Sequence, residues 1–176
     1  MNMCCSTAQT HRALCNAHRE TVCIADAHSQ LIRDVDYNPN KLHHVVTAGS
    51  DRRIKFWDLR RPKVPLKILT GHTHWVYNAK FNRFHDQLLC SAGSDAQVNL
   101  WSVLSISSAP LGDLEDYSAE AVKDGDKLIR TYDENEDSVY SVAWSAADAW
   151  MFAALSYDGR VVLHHVPSAE KYKILL

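Results

Sequence analysis

Ala48-Gly49-Ser50-Asp51 followed by Phe56-Trp57, and 44 residues later Ala92-Gly93-Ser94-Asp95 followed by Leu100-Trp101, decide the fold of this 176-residue chain. The same shift lays Ala27-His28 on Gly71-His72. A further shift of 63 brings Asp95 onto Asp158, Val76 onto Val139 and Phe81 onto Trp144. The 19 additional residues fall in one place, after Trp101. Self-similarity at such a period is the mark of one supersecondary unit built several times over.

Each unit reads as short strands separated by turns. The first strand alternates Ile32, Val35 and Tyr37, matched by Val76, Ala79, Phe81 and by Val139, Val142, Trp144. The second is a continuous apolar run: Val45-Val46, Leu88-Leu89-Cys90 and Met151-Phe152-Ala153. The third alternates again, with Ile54 and Phe56, Val98 and Leu100, Val161 and Leu163. A fourth strand is expected at Leu66-Lys67-Ile68-Leu69, at Leu128 to Tyr132 and at Tyr172-Lys173-Ile174-Leu175. Period-two alternation around an apolar run suits a sheet covered on both faces, and no segment sustains a 3.6-residue period. The chain is therefore expected to be all-β. Its spacing, with a Gly-His opening and a Trp-Asp close, resembles the WD-repeat β-propeller family. The expectation is a partial propeller of about three four-stranded blades plus one leading strand at Cys23-Ile24.

Residues 1–22 are read as a poorly ordered, non-repeat segment, and 23–176 as blades with an acidic loop insertion at about 105–127. Closed propellers have four to eight blades. Three repeats with one leading strand are too few, so the chain is expected to be a truncated isoform, a fragment or an incomplete gene model.

Composition narrows the function classes. A net charge of −2 supplies no field to draw in nucleic acid or an anionic membrane surface, so no nucleic-acid partner is expected. No run approaches the length of a membrane span, so no direct membrane insertion is expected. The N-terminal residues lack a secretory design. Cys4, Cys5, Cys15, Cys23 and Cys90 then read as reduced thiols, with Cys23 and Cys90 as small core residues.

The polar residues that recur with the repeat carry its chemistry. His28 precedes Asp51 by 23 residues, as His72 precedes Asp95, and each Asp precedes Trp57 or Trp101 by 6. With Thr47 and Ser91 as the hydroxyls, these form a candidate buried network around a carboxylate that must be hydrogen-bonded to be tolerated. The third repeat keeps Asp158 but has Asn135, Ala154 and His164 at the other positions. A His–Asp–Ser set invites a catalytic-triad reading. A constellation repeated in successive units instead argues for a structural role, so no catalytic residue is assigned. His43-His44, His164-His165 and the Cys4-Cys5, Cys15, His18 group lack the paired spacing of a zinc site, and no metal or cofactor is expected.

Two features lie outside this pattern. Trp57-Asp58-Leu59-Arg60 matches the W-D-x-R motif of WD-repeat receptors that dock on cullin-type ubiquitin ligases, which makes Arg60 a candidate ligase-adaptor contact. The insertion carries Asp113, Glu115, Asp116, Glu120, Asp124 and Asp126 among small residues, a composition that resists ordering.

Asp34 to Lys41, Ser105 to Ser108, Glu136 to Tyr140 and Leu155 to Arg160 are not generic repeat residues. They resemble the C-terminal half of the family of EARP and GARP complex-interacting proteins, from about Cys23 to Leu176. That resemblance implies a protein-binding scaffold whose partners are subunits of the EARP and GARP vesicle-tethering complexes. It further implies a part in endosomal recycling and endosome-to-Golgi retrograde transport, in the cytoplasm, peripheral to the trans-Golgi network and endosomes. The alternative is a substrate receptor of a cullin-type ubiquitin ligase, resting on Arg60. The composition of the insertion yields a direct expectation: limited proteolysis cuts first within about residues 108–127. First cuts inside the blades would contradict it.

Overall fold

The computed structural model describes residues 22–108 and 126–175. Their strands form three antiparallel sheets in chain order. The first blade comprises β1 (Ile32–Tyr37), β2 (His44–Gly49), β3 (Arg53–Asp58) and β4 (Lys67–Thr70). The second comprises β5 (Val76–Phe81), β6 (Leu88–Gly93), β7 (Val98–Ser102) and β8 (Lys127–Tyr132). The third has β9 (Val139–Trp144), β10 (Met151–Ser156) and β11 (Val161–His165). Each blade is a meander whose neighbours in sequence are neighbours in the sheet.

Two expected strands are corrected. Tyr172-Lys173-Ile174-Leu175 is the end of a helix, α1 (Ser168–Leu175), so the third blade has three strands among the described residues. Ala169, Glu170, Lys171 and Lys173 favour a helix, and the Pro167 carbonyl accepts from the amides of Glu170 and Lys171 to open the first turn. Glu170 in the first turn pairs with Lys173 and with Lys127 at the start of β8. Ile174 packs on the second core cluster. Cys23-Ile24 is likewise not in a strand, and Cys23 is exposed rather than a core residue, whereas Cys90 is buried.

The tight turns show why the repeat keeps an aspartate. Arg52, Ala96 and Gly159 occupy equivalent places and all have positive φ, at 65°, 61° and 80°. The preceding Asp51, Asp95 and Asp158 each accept the amide N–H of the residue after the left-handed one: Arg53 at 3.3 Å, Gln97 at 3.4 Å and Arg160 at 3.0 Å. The side chain thus closes a turn that costs a non-glycine residue strain.

The core lies between blades. Val46, Ala48, Ile54 and Phe56 meet Val76, Ala79 and Phe81, with Phe56 and Phe81 edge to face at 5.8 Å. One repeat later, Cys90, Ala92, Val98 and Leu100 meet Val139, Val142 and Phe152. Polar groups copy the same register. Asp34 accepts from the side chain of Asn78 at 2.7 Å and from the Ala79 amide at 3.0 Å. Asn78 in turn accepts from the Val142 amide at 3.2 Å. Asn38 caps its own turn through Oδ1 and donates to Asp86 of the next blade at 3.0 Å. Asn82 does the same and donates to the Ala149 carbonyl at 2.6 Å.

Val161 and Leu163 stand where Ile54/Phe56 and Val98/Leu100 stand in the earlier blades. They are 64% and 63% exposed, against 1% or less at all four counterparts. The same residue position therefore has very different energetic weight in different blades. Leu100→Ala is expected to cost about 2–5 kcal/mol in chemical denaturation of this chain. Leu163→Ala is expected to stay within about 0.5 kcal/mol. Equal losses would contradict the assignment of the blade faces.

Candidate functional site

The residues that the repeat spacing singled out meet in one chain of hydrogen bonds in each of the first two blades. In the first, His28 Nδ1 lies 2.8 Å from Asp51 Oδ1 and His28 Nε2 lies 2.8 Å from Thr47 Oγ1. Trp57 Nε1 donates to the same hydroxyl at 2.9 Å. A carboxylate only accepts, so the ring nitrogen facing Asp51 carries the hydrogen. The other nitrogen then accepts from Thr47, and Thr47 accepts from Trp57. The second blade repeats this. His72 Nδ1 lies 3.0 Å from Asp95 Oδ2, His72 Nε2 lies 2.8 Å from Ser91 Oγ, and Trp101 Nε1 donates to Ser91 at 2.8 Å.

The order of links differs in one respect from a carboxylate ringed by three donors. The indole reaches the hydroxyl and not the aspartate. The remaining acceptor capacity of the aspartates goes to backbone amides, Ser29 and Arg53 on Asp51, Thr73 and Gln97 on Asp95. Burial pushes the Asp51 and Asp95 carboxyls up, but their bonds to histidine and to these amides outweigh it and leave both below the usual carboxylate range. Burial also lowers the His28 imidazole, more than Asp51 raises it. It is neutral at pH 7.

This geometry defines what the set can do chemically. Thr47 and Ser91 are buried, and each hydroxyl already holds an indole on one side and an imidazole on the other. No approach is left for a substrate carbonyl, which a nucleophilic hydroxyl would require. The set holds four pieces of backbone together: the segment entering the blade, the second strand, the turn after it and the third strand that carries the tryptophan.

The third blade departs from the arrangement. Asn135 is buried with neither side-chain polar atom bonded, and His164 Nε2 is likewise without a partner. His164 instead lies against the rings of Tyr132 and Phe152. Asp158 accepts from Ser156 Oγ and from the amides of Glu136 and Arg160. Ser156 stands where the earlier blades have Gly49 and Gly93. A Cβ at Gly49 would lie 2.4 Å from His28 Nδ1, and one at Gly93 would lie 2.9 Å from His72 Nδ1. The glycine is needed where the histidine is present, and a serine fits where it is not.

Arg60 folds back on its own motif. Its Nε lies 3.0 Å from Asp58 Oδ1 and its terminal Nη2 lies 2.7 Å from Asp58 Oδ2, while its side chain stays 64% exposed. That fork holds the Asp58 carboxyl well below the usual range. Two of the diagnostic stretches, 34–41 and 105–108, meet on Asp86, a buried acid that the sequence pattern did not single out. Asp86 accepts from Asn38 at 3.0 Å and from the Ser108 amide at 2.8 Å, and Asn40 donates to Ser108 at 2.9 Å. Lys41 Nζ adds a bond to the Ile106 carbonyl at 2.9 Å. The neck of the insertion is pinned where Asp126 takes Ser105 and Lys67. Residues 109–125, and the Cys4, Cys5, Cys15 and His18 group, lie outside the described residues. Among the described residues no three His, Cys, Asp or Glu side chains are grouped to hold a metal, and no helix is long and apolar enough to cross a membrane.

Asp95→Ala strips His72 and two amides of their acceptor and is expected to cost about 1–3 kcal/mol in denaturant unfolding. Asp133→Ala, at an exposed position, is expected to cost nothing measurable; equal effects would contradict the network's role. Acid should weaken the fold for two reasons of the same sign. His28, His44, His85 and His164 all lie low because of burial, so their contribution is complete above about pH 6.5 and fades below it. Asp51 and Asp95 lie low as well, so theirs is complete above about pH 4 and is lost on further acidification. The thermal midpoint is expected to fall steadily below about pH 6.5. A midpoint that rises between pH 7 and pH 5 would overturn this account.

Comparison with known proteins agrees with this geometry. Residues 6–101 match the family model described as EIPR1 beta-propeller, and residues 126–165 match that of the WD domain, G-beta repeat. The first match reaches upstream of Cys23, into the segment read from the sequence as non-repeat. The chain is 49% identical over 166 residues to EARP and GARP complex-interacting protein 1 of Homo sapiens, covering 88% of this chain and 43% of that protein. It is 48% identical to EARP-interacting protein homolog of Gekko japonicus, with the same two shares. It is 40% identical to EARP-interacting protein 1 of Caenorhabditis elegans, covering 92% of this chain and 46% of that one. The chain thus spans less than half the length of these relatives. It belongs to the EIPR1 β-propeller family.

Proposed function

We propose that the chain is part of a non-enzymatic protein-binding scaffold whose partners are subunits of the EARP and GARP complexes. It acts in endosomal recycling and endosome-to-Golgi retrograde transport, in the cytoplasm at the periphery of the trans-Golgi network and endosomes. The observation that carries this reading is 49% identity, over 88% of the chain, to a protein named for interacting with both complexes. The site geometry supports it. The recurring His, Asp and hydroxyl groups are consumed by one another inside the blades, which leaves blade ends and loops to meet a partner.

The ubiquitin-ligase reading rests on one observation, the exposure of Arg60 at the end of β3. A pull-down from cytosol with the tagged chain and with its Arg60→Ala variant separates the two. Recovery of EARP and GARP subunits by both forms is expected. A cullin adaptor recovered only when Arg60 is present would favour the ligase reading. Recovery of neither would contradict the trafficking one.

A further inference from the structure

The first strands of all three blades break register at the same repeat position. Pairing skips from Ile32 to Asp34, from Val76 to Asn78 and from Val139 to Ser141. The residues set aside by these bulges are Arg33, Tyr77 and Tyr140. A bulge re-aims its side chain, and one repeated in successive blades lines three such side chains along one end of the molecule. None of the three belongs to the hydrogen-bonded network or to the apolar cores.

They are joined there by other aromatic and cationic groups. Arg33 donates from Nε to Ser50 Oγ at 2.8 Å, and its guanidinium lies 5.0 Å from the centre of Trp75 and 5.5 Å from that of Tyr77. It thereby bridges two blades. Trp75 is 39% exposed, and its ring lies tilted against that of His74 with centroids 4.8 Å apart. Tyr140 lies tilted against Tyr157 with ring centroids 4.8 Å apart, and both are exposed. Trp, Tyr and Arg are the residues that carry most of the energy of protein interfaces.

The first blade carries arginines at this end that enter no ion pair among the described residues. Ion pairs near these turns join Lys55 to Asp51 and Arg160 to Glu136 and Asp158. Among the described residues none engages Arg33, Arg52 or Arg53, all of which are exposed. Asp51 and Asp95 are turned inward onto histidines and amides. A guanidinium fixed by stacking presents its free edge as a fork for carboxylates.

We propose that this end of the blades is a docking surface for an acidic peptide segment with interspersed apolar side chains. Carboxylates would pair with Arg33, Arg52 and Arg53, and the apolar groups would lie on Trp75, Tyr77 and Tyr140. The proposal rests on the protein-binding reading above only in taking the occupant to be a polypeptide.

Fluorescence anisotropy of the full chain tests it with a labelled 12-residue peptide alternating Glu with Leu and Phe. The comparisons are the same peptide with Lys for Glu and a 12-nucleotide oligothymidylate. The acidic peptide is expected to bind, less tightly as salt rises, and at least tenfold more weakly to Arg33→Glu and to Trp75→Ser. Arg60→Ala, on the loop at the other end of β3, should leave binding unchanged. Circular dichroism melts of the variants keep loss of binding separate from loss of fold. Equal affinity across variants, or preference for the Lys peptide or the oligonucleotide, overturns the proposal. Capture of EARP and GARP subunits equally by wild type and Arg33→Glu would sink this surface while leaving the trafficking reading intact. Peptide binding with no such capture by the wild type would do the reverse.

Discussion

The bond between a buried imidazole and a turn carboxylate is the constraint on which the rest of the structure depends. His72 sits in the connection between β4 and β5, where the chain leaves one blade for the next. Its bonds to Ser91 on β6 and Asp95 on the following turn fix that connection against the blade it enters. Only then do Val76, Ala79 and Phe81 fall on Val46, Ala48, Ile54 and Phe56, the apolar layer between the first two blades. The polar chain sets where a blade starts, and the apolar layer contributes most of the free energy once it is there.

The third blade shows what happens when the chain of donors is incomplete. With Asn135, Ala154 and His164 in place, no hydroxyl links ring to carboxylate, and polar atoms of Asn135 and His164 remain unbonded in the interior. Buried polar atoms without partners cost free energy. The compensation is local. Ser156 fills the volume that the glycines leave for histidine and bonds Asp158, while His164 gains contacts with Tyr132 and Phe152. The outward face of this blade, with Val161 and Leu163, has none of the cover its counterparts enjoy.

Much of this was legible in the residues themselves, because the two kinds of signal used are rigid. Alternating apolar residues around continuous apolar runs located the eleven strands described here, and fixed His-to-Asp and Asp-to-Trp spacings pointed to His28, Asp51 and Trp57, which meet with Thr47 as their counterparts do in the second blade. The end of the chain misled because Tyr172 to Leu175 alternates like a strand, while the helix is decided upstream by Pro167 and the Ala-Glu-Lys run. The bulges and Asp86 were invisible to the apolar pattern, since Arg33, Tyr77 and Tyr140 fall between the alternating positions and Asp86 belongs to neither the pattern nor the signature. Asn38, Asn82 and Ser145 did offer a signal: three turn-capping residues in one repeat column.

The most direct test of this account is where the two network histidines carry their ring hydrogen, read from the ring 15N shifts of the chain near pH 7. The account predicts the ring hydrogen on Nδ1, facing the carboxylate, and Nε2 as the acceptor in both His28 and His72. It also predicts slowly exchanging indole N–H groups on Trp57 and Trp101. Rings protonated on Nε2 alone, or indole hydrogens that exchange as fast as those of exposed Trp75, would contradict the chain of bonds on which the fold is argued to depend.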